Sequence, residues 1–241
     1  MARTDDLPTI QRVSRDDFLA SVWDHREDEH VTILGQTGCG KTHLAQQLLE
    51  RTARPEYPAV CLVMKPRDVT VERWRKKVGF KRVTVWSQPV TKWSPKQPSG
   101  YIVWPRHTFK TDIDNANHAR IFEHTIMDCY RRGNRIIFAD ETSGLQRLGL
   151  TAELETVWER GRAMRSPIWA VSQRPTYISS HAYNQASHIF LGKITDKRAR
   201  ERFGEISGVD EYLVRDAVAK LGKYEWLYIR AEDQTMCIVE K

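Results

Sequence analysis

The chain has 241 residues, 40% of them hydrophobic and 29% charged, with 38 Lys and Arg against 31 Asp and Glu for a formal net charge of +7. This composition excludes a disordered polymer. The length is enough to bury a full core without disulfide or metal staples, and leaves little room for a second complete catalytic domain. The basic surplus suits either a polyanionic partner or a well-solvated surface.

Four cysteines occur, Cys39, Cys61, Cys129 and Cys237, with no CxxC pair and no His at zinc-finger spacing. They read as free thiols of a reduced cytoplasmic protein. No apolar run approaches a membrane span, and the first residues are charged without a signal-peptide core, so membrane insertion and secretion are disfavoured. His118 and His124 flank Glu123, but a six-residue step puts the two rings on different helix faces and argues against a shared metal.

Residues 1–29 are polar and read as an N-terminal arm or small helical extension, with a short helix near Asp16–Trp23. From His30 to the end the pattern is that of one domain. HVTIL (30–34) predicts a buried strand, a Gly-rich turn follows, and KTHLAQQLLERT predicts a helix. PAVCLVMKP (58–66), KRVTVW and YIVW (101–104) predict strands, with the helix VERWRKKV after the first and a proline-bearing loop over 87–100. A long helix ends at Gly133, RIIFADE (135–141) is a strand, and TAELETVWERGRAMR is a helix running through Arg165. SPIWAVSQRP and HIFLGKI are strands, DKRARERFGEIS and DEYLVRDAVAKL helices, and KYEWLYIR with TMCIVEK a terminal hairpin. Alternation of short apolar strands with helices predicts an α/β domain. Its sheet should be mostly parallel and flanked by helices, with the functional residues at the C-terminal ends of the strands.

GQTGCGKT (35–42) matches the phosphate-binding loop GxxxxGK followed by Ser or Thr at every fixed position, between a strand and a helix. Gly35, Gly38 and Gly40 let the backbone N–H groups of Gly35, Gln36, Thr37, Gly38, Cys39 and Gly40 wrap a phosphate. The helix N-terminus adds partial positive charge, Lys41 reaches the β and γ phosphates, and Thr42 offers its hydroxyl to Mg²⁺. Cys39 has no partner base and reads as a small structural residue. Asp140 and Glu141 close the strand IIFADE. On a strand next to the P-loop strand, Asp140 would hold Mg²⁺ and Glu141 would polarise the attacking water, which favours ATP hydrolysis over simple binding. Gln173, just past the strand IWAVS, has the chemistry to sense a γ phosphate. Arg160, Arg162 and Arg165 cluster at one helix end; they suit either a solvated helix end or an arginine finger inserted into a neighbouring subunit, with Arg162 the first choice and Arg165 the second.

Together GQTGCGKT, IIFADE, RGRAMRSPIWAVSQRP and their spacing resemble the FtsK–HerA superfamily of P-loop ATPases, over residues 30–241. The resemblance implies a RecA-like core, a homo-oligomeric ring, hexameric or pentameric, and ATP-driven movement of double-stranded DNA. It would make Lys41, Thr42, Asp140, Glu141 and Gln173 the cis site, with ATP and Mg²⁺ as cofactors. A compact core of this kind is similar to the viral and phage genome-packaging ATPases. That likeness implies a capsid portal or vertex protein as partner and a location in the host cytoplasm or at the virion vertex. The sequence departs from larger relatives at VMKPR, where an acidic residue often precedes the lysine. GKTHLA is also similar to helicase-loader and transposition-helper ATPases, though SQRP argues against that group. A conjugation ATPase and an ATP-gated assembly adaptor are compatible with the same motifs. A terminase lacks its second acidic cluster here, and a GTPase its NKxD motif.

Between Lys65 and Arg82 eight basic residues (Lys65, Arg67, Arg73, Arg75, Lys76, Lys77, Lys81, Arg82) face only Asp68 and Glu72, with Trp74, Trp86, Trp93 and Trp104 interleaved or nearby. This predicts either a DNA-contacting region together with Lys92 and Lys96, or a solvated helix whose tryptophans turn to the core. The basic helix with Lys197, Arg198, Arg200 and Arg202 reads as surface.

Overall fold

The structure is a computed structural model that describes residues 10–86, 97–173, 178–206 and 209–241. Trp93, Lys92, Lys96, Arg174 and Pro175 lie outside the described residues, as does the side chain of Lys197.

Ten strands form one sheet in the order β1-β10-β9-β8-β2-β7-β6-β3-β5-β4. The chain enters through β1 (Arg12–Val13), α1 (Arg15–Asp17) and a π-type turn over Phe18–Val22. It continues through β2 (His30–Leu34), α2 (Lys41–Thr52), β3 (Ala59–Leu62), α3 (Val69–Val78), β4 (Lys81–Val83), β5 (Gly100–Val103) and α4 (Thr111–Arg132). Then come β6 (Ile136–Ala139), α5 (Thr142–Arg147), α6 (Thr151–Arg160), β7 (Ile168–Ser172), α7 (His181–Asn184) and β8 (Ala186–Gly192). The chain closes with α8 (Lys197–Ile206), α9 (Glu211–Lys220), β9 (Trp226–Arg230) and β10 (Thr235–Val239). Among the described residues every pairing is parallel except β8–β9 and β9–β10, the expected terminal hairpin and its junction with the parallel core.

The sheet divides the core in two. Successive side chains of a strand point to opposite faces, so Ile137 and Ala139 of β6 join one cluster with Phe122, Trp158 and Val214. Ile136 and Phe138 join the other with Leu44, Leu48, Trp74 and Phe18. Each fully buried Leu, Ile or Phe contributes about 1.5–3 kcal/mol. Both faces must be covered, which explains why the central strands are buried along their whole length and mostly apolar, with His30 and Thr32 of β2 among the buried polar exceptions.

Residues 10–29 are tied to this core. Arg12 and Val13 pair in parallel with Ile238 and Val239, and Phe18 is fully buried against Phe190 and Tyr228. The two-residue strand β1 is too short to carry a sequence signal.

The helix expected to run to Arg165 stops at Arg160. Pro167 bars its predecessor Ser166 from helical geometry, and the chain doubles back, with Ser166 N–H donating to the Gly161 carbonyl at 2.9 Å. A Cβ on Gly161 would lie 2.5 Å from the Ser166 carbonyl oxygen, so the tight reversal needs glycine. Arg162–Met164 make one 3-10 turn, and Arg165 takes a left-handed φ of 53° before the chain enters β7.

Candidate nucleotide site

Residues 35–40 connect the end of β2 to α2. Gly38 and Gly40 have φ of 81° and 94°, left-handed values that disfavour any side chain. Gly40 also has Tyr224 against it, with a ring carbon 3.0 Å from where its Cβ would sit. The loop is anchored to both flanking strands: Gly35 N–H donates to the Ser172 carbonyl (3.3 Å) at the end of β7, and Gln36 N–H to the Lys193 carbonyl (3.5 Å) just after β8.

The Lys41 ammonium folds back over this loop, donating to the carbonyls of Gly35 (2.7 Å) and Gln36 (2.9 Å). Burial lowers its pKa, partly opposed by the thiol of Cys39 and the charge of Asp140. Thr42 donates its hydroxyl to Asp140 Oδ1 at 3.0 Å. That contact bridges β2 and β6 although they are not neighbours. The expectation that the carboxylate strand sits next to the P-loop strand is corrected, because β7 lies between them. Thr42 spans the gap from the first turn of α2, which starts above the C-terminal end of β2.

Burial raises the pKa of Asp140, with Lys65 and Thr42 opposing it. Lys65, just past β3, holds its ammonium 3.2 Å from Asp68 and 3.8 Å from Asp140. Burial lowers the Lys65 pKa, but Asp140 and Asp68 outweigh that and raise it. Lys65 thus sits at the acidic end of the site. Its place just past a strand end is legible in the sequence, but the β3–β6 pairing that sets it beside Asp140 is not.

Glu141 begins α5 and pairs with Arg147 at 3.2 Å. Gln173, exposed at the end of β7, accepts a hydrogen bond from the Thr37 hydroxyl at 3.0 Å. The structure therefore gathers Gly35 to Thr42, Asp140, Glu141 and Gln173 at the C-terminal edge of the sheet. Cys39 is buried within the loop, and burial raises its thiol pKa, in keeping with a structural residue.

Arg162 and Arg165 are not brought to this cluster. They precede β7 and so lie at the opposite edge, where Arg162 pairs with Asp28 at 3.2 Å and Arg165 with Glu27. A five-residue strand spans roughly 17 Å, which separates either guanidinium from its own P-loop.

The described tryptophans near the basic stretch face inward. Trp74, Trp86 and Trp104 are buried and donate their indole N–H groups to Glu50, Asp128 and the Lys65 carbonyl. They form no stacking platform for bases. Arg75, Lys76 and Arg82 gather around Glu72, and Lys77 pairs with Glu50, while Arg67, Arg73 and Lys81 stand exposed. Among the described residues no group of His, Cys, Asp and Glu could by itself hold a metal, and no helix is long and apolar enough to cross a membrane.

The sheet order and this loop geometry define a P-loop NTPase. Within that class the chain resembles the FtsK–HerA type and, in it, the genome-packaging ATPases of viruses and phages. It is 24% identical over 211 residues to the DNA packaging ATPase P9 of Enterobacteria phage PRD1, covering 83% of this chain and 81% of the phage protein. The genome packaging NTPase B204 of Sulfolobus turreted icosahedral virus 2 superposes with a TM-score of 0.65 at 15% identity, over 90% of this chain and 98% of that one. VirB4 of Thermoanaerobacter pseudethanolicus superposes with a TM-score of 0.63 at 12% identity, over 92% of each chain. No family model matches the sequence.

Proposed function

We propose that the chain is an ATP-hydrolysing motor that moves double-stranded DNA into a viral capsid as a homo-oligomeric ring. The observation that carries this reading is the Thr42–Asp140 hydrogen bond at 3.0 Å, which joins the phosphate-loop helix to a carboxylate whose charge reaches Lys41. The packaging ATPase of phage PRD1 supports the cargo, and complexes of the B204 packaging NTPase with AMPPCP and ATP-gammaS support the nucleotide.

In this reading the loop N–H groups and the α2 N-terminus bind the phosphates. Lys41 exchanges its two loop carbonyls for phosphate oxygens. Thr42 and Asp140, both oxygen donors, would hold Mg²⁺, which would neutralise phosphate charge. Glu141 leaves Arg147 and polarises the attacking water. Gln173 reports the phosphate state to Thr37. Arg162 or Arg165 completes a neighbour's site in trans, a role compatible with its place away from the cis site. Residues 30–241 constitute the motor, with 1–29 as an N-terminal extension, and a capsid portal or vertex protein docks the ring in the host cytoplasm or at the virion vertex. ATP turnover measured with and without duplex DNA tests the proposal alongside native mass or light scattering. It predicts stimulation by DNA and a ring; an unstimulated, persistent monomer would sink it.

A further inference from the structure

Lys65 stands at the edge of the site without a part in the reaction proposed above. It lies just past β3, whose last residue Leu62 pairs with Ala139, the residue before Asp140. Parallel pairing therefore carries both side chains to the same end of the sheet. The backbone of Lys65 is held: the Trp104 indole N–H donates to its carbonyl at 2.7 Å, and the Arg82 guanidinium lies 4.3 Å over the same ring. Its side chain is 49% exposed, so the ammonium can move on a fixed base.

Two acids share that ammonium. It donates to Asp68 Oδ2 at 3.2 Å and stands 3.8 Å from Asp140 Oδ2. The two acidic side chains are only 12% and 9% exposed. Each keeps its other oxygen for a different donor. Asp68 Oδ1 accepts from Val71 N–H at 3.0 Å and caps α3, while Asp140 Oδ1 accepts from Thr42. The contact with Asp68 is a hydrogen bond; the one with Asp140 is longer and rests on charge.

We propose that Lys65 is the resident cation of the Asp140 carboxylate, a positioning residue that neutralises it while the metal site is empty and withdraws to Asp68 when Mg²⁺ binds. The proposal rests on the reading of Thr42 and Asp140 as donors to the metal. A carboxylate so little exposed is costly to leave without a counter-charge. A motor that releases its metal with each spent nucleotide would put Asp140 in that state once per cycle, and Lys65 covers it. Two cations on one carboxylate repel, the more so where water is excluded, so the ammonium cannot keep its place at Oδ2 beside a divalent ion. Asp68 gives it a second partner within side-chain reach, and the cap of α3 survives because it uses the other oxygen.

The test measures the affinity of the full chain for AMPPCP by calorimetry, with Mg²⁺ and with EDTA. The ratio of the two affinities is the strengthening that the metal confers. Lys65→Met removes the competing cation and is expected to raise that ratio at least ~3-fold, while Asp68→Asn removes the second partner and is expected to lower it at least ~3-fold. Asn caps a helix as well as Asp does, so α3 keeps its start. Deleting a charge near a metal has these signs on general grounds, and the double variant separates the two explanations. If Asp68 acts through Lys65, Lys65→Met with Asp68→Asn matches Lys65→Met alone within about twofold. Lys65→Arg, which keeps the charge, should stay near the unmodified protein. A loss on Asp68→Asn that is equally large with and without Lys65 would overturn the proposal, as would a ratio unchanged or lowered in Lys65→Met. Lys65→Gln takes the place of Lys65→Met if the latter loses its helical circular dichroism. If Mg²⁺ does not strengthen AMPPCP binding to the unmodified protein, or Asp140→Asn leaves the strengthening intact, the metal reading itself falls and takes this one with it.

Discussion

The two edges of the sheet both carry ionisable side chains but use them in opposite ways. At the N-terminal edge, His188 and Glu29 are both fully buried, with His188 Nε2 2.9 Å from the Glu29 carboxylate and Nδ1 2.8 Å from the Tyr228 hydroxyl. Arg26 adds a second partner to Glu29 at 2.8 Å, and the next residue, His30, accepts a hydrogen bond from Ile168 N–H at 2.9 Å. Partners there are other side chains or strand backbone, and none can leave without stranding a buried group. At the C-terminal edge Lys41 rests on two loop carbonyls, Thr42 on Asp140 and Gln173 on Thr37. These contacts are ones that phosphate oxygens and a cation can replace at little cost. Buried partners that nothing from solvent can replace make structure, and replaceable partners make a site.

Arg162 and Arg165 test that division most severely, since they lie at the structural edge yet are half-exposed on single carboxylates. A surface pair of this kind is worth about 0–1 kcal/mol, so releasing either one is cheap. Replacing the acting arginine by Ala is expected to slow ATP turnover of the assembled protein by ~10³–10⁵, with ATP affinity of the isolated chain unchanged. Mixing Arg162→Ala with Lys41→Ala subunits should restore some turnover if the arginine works across an interface. Turnover untouched in both arginine variants would return the whole N-terminal edge to structure.

Glu141→Gln comes next in size. It keeps the shape of the α5 start and removes the base, so phosphate release should fall ~10²–10⁴-fold with ATP binding retained. A variant that hydrolyses ATP normally would move the base elsewhere, and with it the boundary of the functional edge.

Much of this division was legible in the sequence, for uneven reasons. The P-loop has its own backbone geometry, so GQTGCGKT announces its conformation as well as its chemistry. IIFADE needed only an apolar run and its terminal acids. Both signals are local. What escaped was non-local. That β7 would slip between β2 and β6 depends on connections through α6 and the turn at Gly161, which no short pattern encodes. Lys65 read as one basic residue among eight until the β3–β6 pairing set it beside Asp140. Arg15 and Tyr224 are 209 residues apart and meet only because β1 joins the hairpin at the far side of the sheet. The basic stretch carried two readings, and for its described tryptophans the sheet chose between them: it has two faces to cover and claims Trp74, Trp86 and Trp104 for the core.

The buried edge should fail by a different route. Glu29→Gln removes the fully buried carboxylate that His188 and Arg26 share, while Arg26 keeps Glu232, and breaking a buried pair costs about 3–5 kcal/mol. For a chain of this length that lowers the melting temperature by roughly 10 °C. Differential scanning calorimetry reads it directly, and because the site is at the opposite edge, ATP affinity at 15 °C should not change. A melting temperature within a degree of the unmodified protein would mean that the pair contributes nothing.

Acid should probe the same edge more gently. Burial lowers the pKa of His25 to about 3 and, with the charge of Arg162 adding to it, that of His30 to about 4. Both imidazoles are therefore neutral in the fold and protonate near pH 6.5 once unfolded. The unfolded chain then binds more protons as pH drops, and the stability present above pH 6.5 is lost as pH falls toward 4 and 3, at about 1.4 kcal/mol per group per pH unit. Burial pushes the Glu29 carboxyl up, but His188 and Arg26 outweigh it and hold the pKa down to about 2, which adds a further loss below its usual 4.5. The reason for His30 is geometric. Ile168 N–H donates to its Nδ1, so a second proton there would break a strand-entry hydrogen bond in a buried place. Melts at pH 7.5, 6.0 and 5.0 should show a steady fall, and a flat profile would refute the buried-neutral assignment. Arg162→Ala sharpens the test, because removing that positive charge lets the His30 pKa rise toward 6.5. The variant should then lose less stability between pH 6.5 and 5.0 than the unmodified chain, a difference of a few tenths of a kcal/mol to about 1 kcal/mol.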